Sequence, residues 1–145
     1  MNKTKCNNSF LAISFSQGFV SPNIPIATIT QGEREMNFII DTGSDRNVID
    51  SNILSKIEYQ TKEEGDEKIT LTGLGGTQEV KLCTIPFQLD GKEYSAEFLA
   101  SDMKEAFGSI KKAHAIPIHG MLGSRFLKEN KIVLDFTNMV AYNKE

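Results

Sequence analysis

One carboxylate in this chain stands where a carboxylate is expensive. Phe38-Ile39-Ile40 is an apolar run of strand type, and it ends on Asp41. Thr42-Gly43-Ser44 then turns the chain, and Asn47-Val48-Ile49 leads away. A carboxyl group delivered by a buried strand costs free energy unless it is paired or put to work. The work open to it is acid–base chemistry. The other reactive residue types are scattered. Cys6 and Cys83 make no metal-ligand spacing with each other or with His114 and His119, so no metal site is expected and two free thiols are favoured over one disulfide. Neither histidine has a Ser or Cys nucleophile motif beside it, so both read as surface or packing residues.

Two further stretches stand out. Gly73-Leu74-Gly75-Gly76 is a glycine-rich tip between two arms of β type, Ile69-Thr70-Leu71-Thr72 and Thr77-Gln78-Glu79-Val80. It reads as a hairpin end. No helix follows it and it lacks the Gly-Lys-Ser/Thr ending, so it is not a nucleotide loop. Near the C-terminus, Met121-Leu122-Gly123 opens onto a short helix over Ser124–Lys131, and a strand Ile132–Phe136 follows.

The elements that must position these stretches are mostly strands. Phe10–Phe19 alternates loosely, Ile24–Ile29 reads as a strand, and Glu35–Ile40 delivers Asp41, so the first third is expected to be a β-meander. Asp50 and Ser51 cap a short helix through Ile57, and Thr61–Lys68 reads as a charged, solvated connector. Strands over Val80–Phe87 and Tyr94–Ala100 flank an Asp90-Gly91 hairpin turn. Ser101-Asp102 could cap a helix through Phe107 that Gly108 interrupts, and Met139–Tyr142 is a last strand.

Length and composition narrow the classes. At 145 residues, 39% hydrophobic and 24% charged, the chain is expected to be one domain over residues 1–145, with a core that needs no staples. A net charge of −3 supplies no basic field, so no nucleic acid or anionic membrane partner is expected. Phe10–Phe15 is too short for a signal-peptide core, and no run is long enough to span a bilayer. A full-length chain of this kind would be cytoplasmic.

The three stretches fall in a telling order: an acidic loop Ile39-Ile40-Asp41-Thr42-Gly43-Ser44, a glycine-tipped hairpin, then Met121-Leu122-Gly123 opening a helix and closing strands. That order resembles the retropepsin-like aspartic peptidases, the single-lobe relatives of pepsin. The resemblance covers roughly residues 20–142 in layout and only these short segments in detail. It implies a mainly β fold, a closed acid-protease-type barrel lobe with one or two short helices. The implied activity is that of an aspartic endopeptidase acting on an extended polypeptide, with no cofactor. Such an enzyme uses two carboxyl groups sharing one proton, one to activate water and one to donate to the carbonyl. Asp-Thr-Gly occurs once here, so the second aspartate would be Asp41 of another copy, and the resemblance implies a homodimer.

Roles carried over by position follow from the same resemblance. Asp41 would be the catalytic residue. Thr42 would join the two loops across the axis, Gly43 would let the backbone approach substrate, and Ser44 could hydrogen-bond the carboxylate. Asp45 would meet substrate backbone, and Gly73, Leu74, Gly75 and Gly76 would form a flap over the peptide. Met121, Leu122 and Gly123 would support the acidic loop from behind. The chain also departs from the pattern. Arg46 follows Asp45, and Ser124 rather than an arginine follows Gly123, so Asp45 has Arg46, Arg125 or nothing as its partner. Two rival readings stand beside the peptidase: a non-catalytic peptide-binding or dimerisation module on the same fold, and an unrelated β-barrel that binds a small molecule.

Overall fold

The computed structural model describes residues 12–14, 23–61, 69–73 and 76–143, with side-chain surroundings for 23–61 and 80–143. In chain order the strands are β1 (Ala12–Ser14), β2 (Ile26–Gln31), β3 (Arg34–Asp41), β4 (Asn47–Asp50), β5 (Gln60–Thr61), β6 (Ile69–Gly73), β7 (Gly76–Leu89), β8 (Lys92–Ser101), β9 (Gly120–Gly123), β10 (Ile132–Asp135) and β11 (Val140–Asn143). A 3-10 helix over Ser51–Lys56 follows β4, α1 spans Lys104–His114, and α2 spans Ser124–Glu129. About half of the chain is strand, and six strands close into a barrel.

Period-two alternation builds that barrel. Met36, Phe38 and Ile40 of β3 point inward, as do Ala27 and Ile29 of β2, Cys83, Ile85, Phe87 and Leu89 of β7, and Phe98 and Ala100 of β8. The strands run in the order β2-β3-β9-β4-β8-β7, and a β2–β7 pairing at Thr30 and Gln88 closes the circle. Inside, Phe87 packs against Phe98, Phe126 and Tyr94, with ring centroids 5.6–5.9 Å apart. Cys83 is a buried free thiol whose pKa is pushed up by burial; Cys6 lies outside the described residues.

Local turn chemistry works as the residue types require. Asp90 and Gly91 both have positive φ, at 47° and 82°, which is the two-residue hairpin geometry that Asp-Gly favours. Asp50 caps the 3-10 helix by accepting from the Asn52 N–H at 3.2 Å.

Three expectations change. β1 does not continue a meander with β2; it pairs with β11, in a separate sheet ordered β1-β11-β10. The connector after the 3-10 helix is not all loop, because Gln60 and Thr61 pair with Thr84 and Cys83; residues 62–68 lie outside the described set. Gly108 does not interrupt its helix, and α1 runs through it to His114. A mid-helix glycine costs about 1 kcal/mol. Here Phe107 and Ile110 dock on Ile26, Ile39 and Met121, in a second apolar cluster on the outer side of the barrel wall, and that packing outweighs the cost.

Candidate active site

The placing of β9 decides the architecture of the acidic loop. β3 and β4 are consecutive in sequence, joined only by residues 42–46, yet they are not neighbours in the sheet. β9 lies between them, parallel to β3 with Asp41 opposite Gly123, and antiparallel to β4 with Val48 opposite Met121. The loop must therefore arch over the end of β9.

The end of β9 holds that arch by its backbone. The Ser124 N–H donates to the Ser44 carbonyl at 2.7 Å, and the Arg125 N–H donates to the Asp45 carbonyl at 3.0 Å. The Ser124 hydroxyl sits 3.1 Å from the Thr42 carbonyl and 3.0 Å from the Ser44 carbonyl, and shares its proton between them. The Gly123 N–H donates to Asn47 Oδ1 at 2.8 Å. Gly123 has φ −95°, a conformation open to any residue, so space alone demands a glycine there. A Cβ would lie 2.6 Å from the Arg46 carbonyl oxygen and 2.8 Å from that of Ser44. Gly120, at the other end of β9, is squeezed in the same way between Val48 and Phe38. Leu122 is buried in the barrel core, while Met121 faces the α1 cluster.

Within the loop, Asp41 is half-buried and Thr42 and Gly43 are exposed. The Gly43 N–H donates to Asp41 Oδ1 at 3.0 Å, which orients the carboxylate. A Cβ on Gly43 would stand 3.3 Å from the same oxygen. Ser44 differs from expectation: its hydroxyl donates to the Arg46 carbonyl at 2.9 Å, not to the carboxylate. A hydroxyl has one proton, and closing the turn engages it.

Asp45 finds its partner across the turn. Arg125 Nη2 lies 2.6 Å from Asp45 Oδ2, with Nε 3.4 Å from Oδ1. Both side chains are largely solvent-exposed, at 48% for Arg125 and 66% for Asp45, so water screens the pair and its worth is well under about 1 kcal/mol. The backbone bond from Arg125 to Asp45 carries more of the docking. A cavity of about 450 Å³ opens on this flank of the loop, lined by Arg46, Tyr94, Leu99, Arg125 and Glu129 among others. Asp41 does not line it.

The glycine-tipped hairpin is present in the backbone. β6 pairs antiparallel with the first part of β7, from Ile69 opposite Val80 to Gly73 opposite Gly76. Leu74 and Gly75 lie outside the described residues. Among the described residues, no three His, Cys, Asp or Glu side chains gather as a metal site, and no helix is long and apolar enough to cross a membrane.

Asn47 is the site residue that the motifs did not reveal. It is 5% exposed, donates from Nδ2 to the Glu97 carbonyl at 3.0 Å, and accepts from Gly123, so it ties β8, β4 and β9 together under the loop. The available signal was an amide at the start of a buried strand, a position where a polar side chain must be satisfied. Asn47→Ala removes both bonds and strands the buried Gly123 N–H, so a loss of about 3 kcal/mol is expected in urea unfolding.

A scan of protein-family models finds none that matches this chain, and comparison with curated proteins finds no match either.

Proposed function

We propose that the chain is an aspartic endopeptidase of the retropepsin-like kind, with an acid-protease-type barrel, and that one copy carries half of its active site. The observation that carries this reading is the acidic loop itself. Asp41 ends a core strand, is oriented by Gly43, and sits on an arch that Gly123, Ser124 and Arg125 grip through main-chain bonds. That is a rigid mount for a carboxylate at an exposed turn, and rigidity there serves chemistry rather than the core.

The mechanism follows from one carboxyl group per chain. Two Asp41 side chains brought together by a two-fold axis would share a proton, because mutual repulsion splits their titration. The ionised member would take a proton from water as that water attacks the peptide carbonyl. The protonated member would donate to the carbonyl oxygen, and the same proton would then reach the departing amine. Thr42 is exposed on the loop and would meet its symmetry mate in such a dimer. The β6–β7 hairpin would close over a substrate lying extended in the cleft and offer it main-chain hydrogen bonds.

Unstructured peptides incubated with the parent and with Asp41→Asn, between mildly acidic and neutral pH, test the reading. Cleavage confined to the parent supports it. Cleavage that survives in the variant contradicts it, and silence from both favours a non-catalytic peptide-binding module.

A further inference from the structure

His119 stands immediately before β9, and its imidazole does the work of a backbone carbonyl. On the parallel ladder Phe38 is opposite Gly120, so the next rung down is Asn37 with His119. The His119 N–H donates to the Asn37 carbonyl at 2.8 Å, and the His119 carbonyl accepts from the Asp50 N–H at 2.9 Å. The Asn37 N–H donates to Nδ1 of the His119 ring at 3.0 Å. The residue thus joins β3 to β4 at the base of β9, four residues before the glycine that supports the acidic loop.

We propose that His119 is a pH-sensitive positioning residue: its neutral ring is the acceptor that doubles the bond between the start of β9 and β3, and taking up a proton breaks that ring bond, leaves only the main-chain bond of the rung, and loosens β9 beneath the loop.

The ring chemistry leaves little choice. With Nδ1 accepting, the single proton of the neutral ring is on Nε2. Protonation places a second N–H on Nδ1, where it faces the Asn37 N–H, and two donors cannot bond. The Asn37 main-chain N–H then loses the ring as its acceptor. The charged surroundings are mixed. Burial is the largest influence and holds the ring's pKa below its ordinary value. Asp50, at the end of β4, favours the cation, while Arg34 of β3 and Lys111 of α1 oppose it. The Asn37 main chain is the next influence after burial and favours the cation, whereas its N–H that donates to Nδ1 can bond only the neutral form, and the net direction is still downward.

The sign of the pH effect follows. The unfolded chain takes up the proton near pH 6.5, whereas the folded chain takes it up lower. Between those values the unfolded state binds more protons, so stability falls as pH falls, and below the folded pKa the ring's bond to the Asn37 N–H is gone. The consequence for catalysis rests on the peptidase reading; the rung does not. A dyad that works in acid would be limited on its acid side by this histidine.

The test is amide exchange by NMR in the parent and in His119→Gln, with the ring nitrogens of His119 followed in parallel. Glutamine offers an acceptor oxygen that does not titrate. In the parent, protection of the Asn37 and Ser124 amides, corrected for intrinsic exchange, should fall about fivefold or more as the ring gains its proton. In His119→Gln that fall should be absent. Protection that stays level while the parent ring titrates overturns the proposal, as does a ring that carries its proton on Nδ1 at neutral pH. If the variant does not fold, the coincidence of ring titration and Asn37 deprotection in the parent decides alone. With peptide as substrate, the acid limb of the activity profile should move to lower pH in His119→Gln; an unmoved limb contradicts the link to the loop. A parent that cleaves nothing at any pH sinks the peptidase reading, and the exchange result still decides the rung.

Discussion

If the chain is the proposed peptidase, Asp41→Asn should lower kcat/KM for peptide cleavage by at least about a hundredfold, the scale of a lost acid–base group, and leave the fold standing. The two halves of this expectation have separate causes. Asparagine can neither accept the water's proton nor share one with a second carboxylate, so the proposed dyad could not form. Its Oδ1 can still accept the Gly43 N–H, the bond that orients this side chain, and Asp41 is only half-buried. Stability should therefore change by less than about 1 kcal/mol in urea unfolding. A variant that unfolds would show that Asp41 holds the turn together, and cleavage that persists would show that it does no chemistry.

Gly123→Ala has the opposite profile: it touches no reacting group and should damage both fold and activity. The added Cβ meets two main-chain carbonyl oxygens, of Arg46 and Ser44, at 2.6 and 2.8 Å. These are the carbonyls of the arch, so the clash cannot be relieved by swinging a side chain. Overpacking of this kind costs about 3 kcal/mol. The loop should relieve it by lifting off β9, and on the peptidase reading a displacement near 1 Å at the carboxylate would slow cleavage roughly a hundredfold. Gly108→Ala is the matched control, because a Cβ there meets nothing within 4 Å inside α1. It should stabilise the chain by up to about 1 kcal/mol and leave cleavage unchanged. Thermal melts of the two variants beside the parent separate a spatial demand for glycine from a general intolerance of change.

What could be read in the sequence, and what could not, divides along the range of the interactions. Asp41 at a strand end, the Asp90-Gly91 turn and the glycine-tipped hairpin all follow from alternation and turn chemistry within a few residues, and all are visible as residue types. A supporting role for Met121-Leu122-Gly123 was expected only through a resemblance, and in the fold Gly123 lies against the loop while Leu122 fills the core and Met121 faces α1. No local pattern says that a four-residue strand inserts between two others far earlier in the chain. Long-range pairing also explains β1, whose partner β11 is the last strand. At Gly108, propensity argued for a break, and packing of Phe107 and Ile110 against the barrel wall overrode it. The Asp45–Arg125 pair was one of several open choices, because Arg46 is next in the chain while Arg125 lies far along it, and only the arch geometry selects the distant one. Asn47 and His119 carry no motif. Each is a polar group whose role is to supply hydrogen-bond partners to backbone that side-by-side strands leave unpaired.

The central claim is that catalysis needs an Asp41 from each of two chains, and subunit mixing tests it most directly. Parent and Asp41→Asn chains are combined in varying ratio at fixed total concentration, allowed to exchange, and assayed on an unstructured peptide. If the dyad spans two copies, mixed dimers are inactive and activity follows the square of the parent fraction, so an equal mixture retains about a quarter of the parent's activity. Activity that falls in simple proportion, leaving about half at equal mixing, would mean that each chain works alone and would contradict the account.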